Sequence, residues 1–220
     1  MNRRLILSLI ILLMVAGCVG RSDRRPRGPH RPPAQAVVVR GNDPAVLKQC
    51  LSKLDRQVAR YALLPDRTFG ESCDALGAVQ LRDIGTPTTN LGAMACGLAN
   101  AFVTWTQNDL QQPAQEFLHG RIVKIETMGT YACRNVNGAS SGRVSEHAHA
   151  NAVDVSGFVL EDGRRITVTK DWTAGGDGAA FLRAVRGSAC RRFVTVLSPD
   201  YNAFHHDHLH FDMGGKSFCR

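Results

Sequence analysis

The sequence predicts an α+β domain built on a small antiparallel sheet, flanked by helices and stabilised by disulfides. Three observations carry this. Apolar residues recur at helical spacing as far as Gln111, and alternate or cluster at strand spacing after it. Helices that come early and hairpin strands that come late argue against alternating βαβ units. The third is an even set of six cysteines, Cys50, Cys73, Cys96, Cys133, Cys190 and Cys219, in a chain that carries an export signal.

That signal lies at the N-terminus. Arg3 and Arg4 precede an apolar run from Leu5 to Ala16, which is shorter than the ~20 residues a bilayer-spanning helix needs. Val15-Ala16-Gly17-Cys18 then sets small residues directly before a cysteine. This resembles a lipobox, so residues 1–17 read as a lipoprotein signal peptide and Cys18 as the lipidated residue that anchors the chain to a membrane. The alternative is an ordinary signal peptide with an incidental Cys18. The location expected is the cell envelope, on the periplasmic face of the outer membrane.

The formal charge of +8 is unevenly spread. Residues 18–40 hold Arg21, Arg24, Arg25, Arg27, Arg31 and Arg40 against Asp23, together with Pro26, Pro29, Pro32 and Pro33. That composition predicts an extended, disordered tether. Residues 41–220 are close to neutral, which gives no nucleic-acid-binding face. An arm of this kind can rest on anionic head groups or wall polymers, or serve simply as a spacer.

Residues 41–220 form one domain with a sizeable core. Asp43-Pro44 reads as an N-cap followed by Pro at the first helical position, with Leu47, Leu51 and Leu54 at helical spacing behind it. Leu91 to Gln111 reads as a second helix, with Met94, Leu98, Phe102 and Trp105 as its core stripe. Arg121 to Thr127 reads as a strand. Val153 to Leu160 and Arg165 to Thr169 read as a hairpin turned at Asp162-Gly163. Ala174 to Gly178 reads as a flexible glycine-rich connection, Ala179 to Ala189 as a helix burying Phe181, Leu182 and Val185, and Phe193 to Leu197 as a strand. A Cys190–Cys219 bridge would fix both ends of the segment between them, but fifteen pairings of six cysteines are possible.

The chemistry lies in two clusters, Ser145-Glu146-His147-Ala148-His149-Ala150-Asn151-Ala152-Val153-Asp154 and His205-His206-Asp207-His208-Leu209-His210. Together they offer imidazoles and a carboxylate for a catalytic zinc site, which takes three protein ligands and keeps an open position for water. His147 and Asp154 would face opposite sides of one straight strand, so they meet only if the chain turns between Ala148 and Asn151. His208 and His210 are spaced to share one face of a strand.

The order Ser145-x-His147, Asp154, His208-x-His210 resembles the zinc peptidases that cut D-alanyl and related bonds in peptidoglycan, whose pattern is S-x-H-x-x-G-x-A-x-D with a late H-x-H or E-x-x-H. Here Ala150 replaces the pattern's glycine. A closer resemblance runs from Leu47 to Cys219. Tyr131-x-Cys133-Arg134, Ser145-Glu146-His147, Asn151-Ala152-x-Asp154, Gly157-Phe158, Phe181-Leu182, Ser198-Pro199-Asp200-Tyr201-Asn202 and Asp207-His208-x-His210 are similar to the bacterial extensin-like C-terminal family.

These resemblances imply a murein-metallopeptidase (Hedgehog-like) fold and a lipoprotein that hydrolyses peptidoglycan stem peptides or crosslinks. They imply Zn2+ held by His147, Asp154 and His210. They make His208 the general base, or the group that holds the base, with Asp207 as the rival base and His205 as a further active-site histidine. Arg134 and Ser145 become substrate-binding residues, although Arg134 in a structural ion pair is an equal alternative. The competing expectation is a zinc-containing wall-binding or structural protein without turnover. His149 and His206 carry no role.

Overall fold

The computed structural model describes residues 43–220. The signal peptide, Cys18 and the Arg/Pro tether lie outside the described residues. Among the described residues, no helix is long and apolar enough to cross a membrane.

Helix α1 spans Pro44–Asp55 and begins where its cap predicts, with the Asp43 carboxylate accepting from the backbone N–H groups of Ala45 and Val46. Five short strands follow: β1 (Arg60–Leu63), β2 (Arg67–Phe69), β3 (Cys73–Ala75), β4 (Ala78–Asp83) and β5 (Met94–Ala95). They make a β1-β4-β5 sheet and a β2-β3 hairpin. Helix α2 covers Cys96–Asn108 and is tied to α1 by the Cys50–Cys96 disulfide.

The expected helix from Leu91 is therefore corrected at its start. Met94 and Ala95 pair with Val79 and Ala78 as a strand. Met94, Leu98, Phe102 and Trp105 are all fully buried. The apolar stripe runs on across the strand–helix junction because both elements face the same core. The early strands also make the helices-then-strands division too simple, although the α+β class holds.

A short helix, α3 (Gln111–Pro113), runs into a π-helical turn at Ala114–Leu118. Strand β6 (Ile122–Gly129) shifts register between Ile122 and Lys124 against its neighbour β7 (Ala152–Leu160). This bulge lets Ile122 and Ile125, three apart, both face the core while Val123 is exposed. Strand β8 (Arg165–Thr167) closes the hairpin with β7 through a turn in which Gly163 has φ +87°. The strand expected to reach Thr169 stops at Thr167, whose hydroxyl caps α4 (Val168–Asp171).

Helix α5 (Gly176–Ala189) begins inside the glycine-rich segment. Gly175 and Gly176 adopt positive φ, so these glycines make the entry to a helix and not a loose connection. Phe181, Leu182 and Val185 are buried, as the spacing predicts. The chain ends with β9 (Thr195–Leu197), β10 (Leu209–Asp212) and β11 (Phe218–Cys219).

The main sheet has the order β11-β9-β10-β7-β6, with β8 also on β7. Strand β6 runs along one edge of β7, so β10 and β8 share the other edge, β10 at its start and β8 at its end. One core unites this sheet with α2 and α5. Trp105 is its centre, with ring centroids 5.2 Å from Phe211 and 6.4 Å from Phe158, and its indole N–H donates to Ser188 Oγ at 3.0 Å. Burying aromatics of this size is worth roughly 1.5–3 kcal/mol each. Two further disulfides, Cys73–Cys133 and Cys190–Cys219, complete the three expected bridges. The second is the pairing that would bracket the late histidine cluster.

Candidate metal centre

The site is built by sheet register. His210 on β10 stands directly opposite Asp154 on β7, so both side chains project from the same face. Asp154 is the third residue of β7, which starts at Ala152, one residue before the expected beginning of that strand at Val153.

His147 arrives by a turn. Glu146–His149 forms a 3₁₀ turn, and Ala150 takes the left-handed conformation at φ 51° before β7 begins. That is the reversal the His147–Asp154 spacing requires. A left-handed conformation favours glycine, and Ala150 holds it here with a side chain in place. Thr130, the residue after β6, locks the ring, since His147 Nδ1 lies 2.9 Å from its carbonyl.

The three groups close on one another. His147 Nε2 is 3.0 Å from Asp154 Oδ2, His210 Nδ1 is 2.9 Å from Asp154 Oδ1, and the two facing nitrogens are 3.2 Å apart. All three residues are buried. A tetrahedral ion with bonds of 2.0–2.1 Å holds its donor atoms roughly 3.3 Å apart, so this spacing is close to that of a filled coordination shell.

The outer nitrogens fix the tautomers. Thr130 O can only accept, so His147 Nδ1 carries the hydrogen. His210 Nε2 lies 2.9 Å from the Asp212 carboxylate and likewise carries the hydrogen. The inner nitrogens of the neutral rings therefore aim lone pairs at a carboxylate, and only a cation reconciles three such groups. In the protein alone a proton plays that part. Burial pulls the His210 pKa down, but the hydrogen bonds and negative charges of Asp154 and Asp212 outweigh it and raise it to about 9. Burial would raise the Asp154 pKa, but its bonds to His147 and His210 hold it well below the usual carboxylate range. Two buried imidazoles and one carboxylate, with both rings oriented from behind by an acceptor, suit a divalent metal.

The remaining candidates surround this triad. His208 Nε2 is 3.5 Å from Asp154 Oδ1, and its Nδ1 is 2.8 Å from Asp207 Oδ1. Asp207 thus stands behind His208. His205 is buried, with its ring 5.1 Å from that of His208, and its Nδ1 is 2.8 Å from Asn202 Oδ1. Burial first, then the neighbouring His208 and His210, push the His205 pKa down to about 4.

Arg134 is half-exposed and reaches Asp154 Oδ2 at 3.7 Å. Its carbonyl accepts from the backbone N–H of Ser145, which brings the two candidates side by side. Ser145 Oγ accepts from the backbone N–H of His147 at 3.3 Å, so the hydroxyl caps the turn that carries His147. His206 is exposed, and His149 pairs with Asp74 away from the triad.

One participant had no sequence signal of its own. Asp212 is buried, two residues beyond His210 on the same strand face, and receives the His210 N–H. The period of two from His208 through His210 to Asp212 is the pattern that points to it.

A cleft of about 500 Å³ opens over these residues, lined by Arg134, Ser145, His147, His205, His208 and His210 among others. No curated protein and no solved structure matches the chain. A family model described as extensin-like protein C-terminus matches residues 48–220, which covers both histidine clusters and the whole cleft. The chain belongs to the extensin-like C-terminal family.

Proposed function

We propose that this protein is a zinc-dependent peptidase of the cell envelope that hydrolyses peptide bonds in peptidoglycan stem peptides or crosslinks. The observation that carries the reading is the convergence of His147 Nε2, Asp154 and His210 Nδ1 at the base of a cleft, with a His208–Asp207 dyad beside them. The ligand order and the late H-x-H support kinship with the murein metallopeptidases and their fold. Export by residues 1–17 and anchoring through Cys18 belong to the same reading.

His147, Asp154 and His210 would hold zinc, which when bound lowers the pKa of a water toward ~7 and polarises a carbonyl. The protein supplies the proton traffic. Asp207 keeps the hydrogen on His208 Nδ1, which leaves Nε2 free to take a proton and deliver it to the departing amine. Asp207 then has the role of orienting the base and is not a second base. His205 stays neutral beside His208, so it adds no competing charge. Arg134 is placed to meet a peptide carboxylate or a developing oxyanion.

The test is to incubate the purified, zinc-loaded chain with isolated sacculi and identify released fragments by mass. His208→Ala should keep its zinc and fold while turnover falls ~10²–10⁴-fold. His147→Ala should lose both metal and turnover. If Asp207→Asn abolishes turnover while His208→Ala is nearly harmless, the two roles are reversed. Zinc binding without any released fragment would leave a non-catalytic wall-binding protein.

A further inference from the structure

The cleft has a second chemical character that the metal chemistry does not use. Among the described residues, the exposed large aromatics are Phe69, Tyr201, Phe204 and Phe218. Three of these four line this one cleft. Phe204 is 61% exposed, Phe218 42% and Tyr201 43%. Exposing large apolar rings costs solubility, so their gathering at one opening marks a contact surface.

The chain holds these rings in place. Tyr201 and Phe218 lie with centroids 5.5 Å apart, and Tyr201 also packs on His205 at 5.6 Å. Asn202 Oδ1 accepts from the backbone N–H of Phe204, which fixes the turn carrying that ring. Phe218 pairs with Thr195 in a strand that the Cys190–Cys219 disulfide ties down.

The same cleft presents Arg134, Arg143 and Lys216. Its acidic groups are already engaged, Glu146 by Asn151 and Asp212 by His210. Arg134 leans on Asp154 at 3.7 Å, which leaves Arg143 and Lys216 as cations without an ion pair among the described residues, and the exposed apolar surface beside them is aromatic and open. An aliphatic side chain would gain most from enclosure, which rings this exposed do not provide. A sugar ring matches better. Its C–H face can lie on an aromatic face while its hydroxyl rim stays in water, and carboxylates on the same molecule answer the cations.

We infer that Tyr201, Phe204 and Phe218 form a sugar-binding wall beside the metal centre, so that the preferred ligand is an acidic peptide still attached to its glycan. This rests on the peptidase reading and narrows its substrate to sugar-bearing peptides over free ones.

The test measures Kd by titration calorimetry on the zinc-loaded full chain. One probe is an N-acetylated amino-sugar disaccharide carrying a stem peptide, and the other is the same peptide without the sugar. The wild type should bind the sugar-bearing probe at least about tenfold more tightly. Phe204→Ala and Tyr201→Ala should each cut that preference to about threefold or less. Phe204→Leu, which keeps apolar bulk but removes the flat face, should also lose it.

A wild type without preference, or a preference that survives Phe204→Ala, overturns the inference. Preference retained in Phe204→Leu overturns the stacking role. Binding needs no turnover, so the two readings fail separately. Preference without cleavage sinks the peptidase, and cleavage without preference sinks the sugar wall.

Discussion

Strands β7 and β10 have two faces that obey the same backbone rules and do opposite work. On one face Val153, Val155, Leu209 and Phe211 are fully buried in an apolar core. Across the ladder Leu209 meets Val155 and Phe211 meets Val153. On the other face the alternate residues are His210 opposite Asp154 and Asp212 opposite Ala152. That face is also buried but polar and borders the cleft, and each of its polar groups needs a hydrogen-bond partner. The core face tolerates imperfect contacts because dispersion and burial are non-directional. The site face depends on a few directional bonds, and in the metal-free protein it needs a shared proton. Burial alone therefore does not distinguish structure from chemistry in this sheet, whereas partner count does.

The largest effect should come from the core face. Phe211→Ala removes a ring packed 4.8 Å from Phe193 and 5.2 Å from Trp105. A loss of about 3–5 kcal/mol in chemical denaturation is expected. A loss below 1 kcal/mol would show that the core face does not hold this ladder.

The site face should respond in metal affinity before fold. His210→Ala should bind no stoichiometric zinc by metal analysis, and zinc equal to wild type would remove His210 from the ligand set. Asp212→Asn keeps the shape but weakens the acceptor behind His210, so zinc affinity measured by chelator competition should drop about 10–100-fold.

A smaller effect concerns pH. The folded state holds His205 near pKa 4, below its ordinary 6.5. Its contribution to stability is therefore fully present above pH 6.5 and is lost as pH falls toward 4, because the unfolded chain takes the proton first. Urea denaturation at pH 7 and pH 5 should show a loss of about 1 kcal/mol that His205→Gln removes. An unchanged slope in the variant would mean that another group titrates.

The smallest effect should be Ala150→Gly. Relief of the left-handed strain, about 1 kcal/mol, is set against about 0.8 kcal/mol of lost methyl burial among Ala75 and Ala78. The net change should stay within about 0.5 kcal/mol by denaturation, and a larger shift would show that strain and methyl burial do not balance at this turn.

Much of this was legible in the sequence because periodicity and caps are local. Asp43-Pro44 starts α1, Asp162-Gly163 turns the hairpin, and His208-x-His210 shares a face. What was not legible depends on partners far along the chain. The stripe from Met94 to Trp105 looks like one helix until Val79 claims Met94 as a strand partner. The bulge at Val123 is set by β7, not by its own neighbours. On sequence grounds Asp207 is a rival to His208 as base, and its place at 2.8 Å from His208 Nδ1 depends on how the chain turns between them. Asp212 belongs to no motif and becomes visible only once His210 has a direction.

The bridges carry a consequence for assembly. Cys133 immediately precedes Arg134, and Cys219 immediately follows Phe218. The candidate metal-binding residues His147, Asp154 and His210 are instead held by ladder bonds and ring hydrogen bonds that contain no sulfur. Reduction should therefore slacken the two rims of the opening while leaving the His147–Asp154–His210 triad joined. A thiol-treated protein should still load zinc yet grip its ligand poorly.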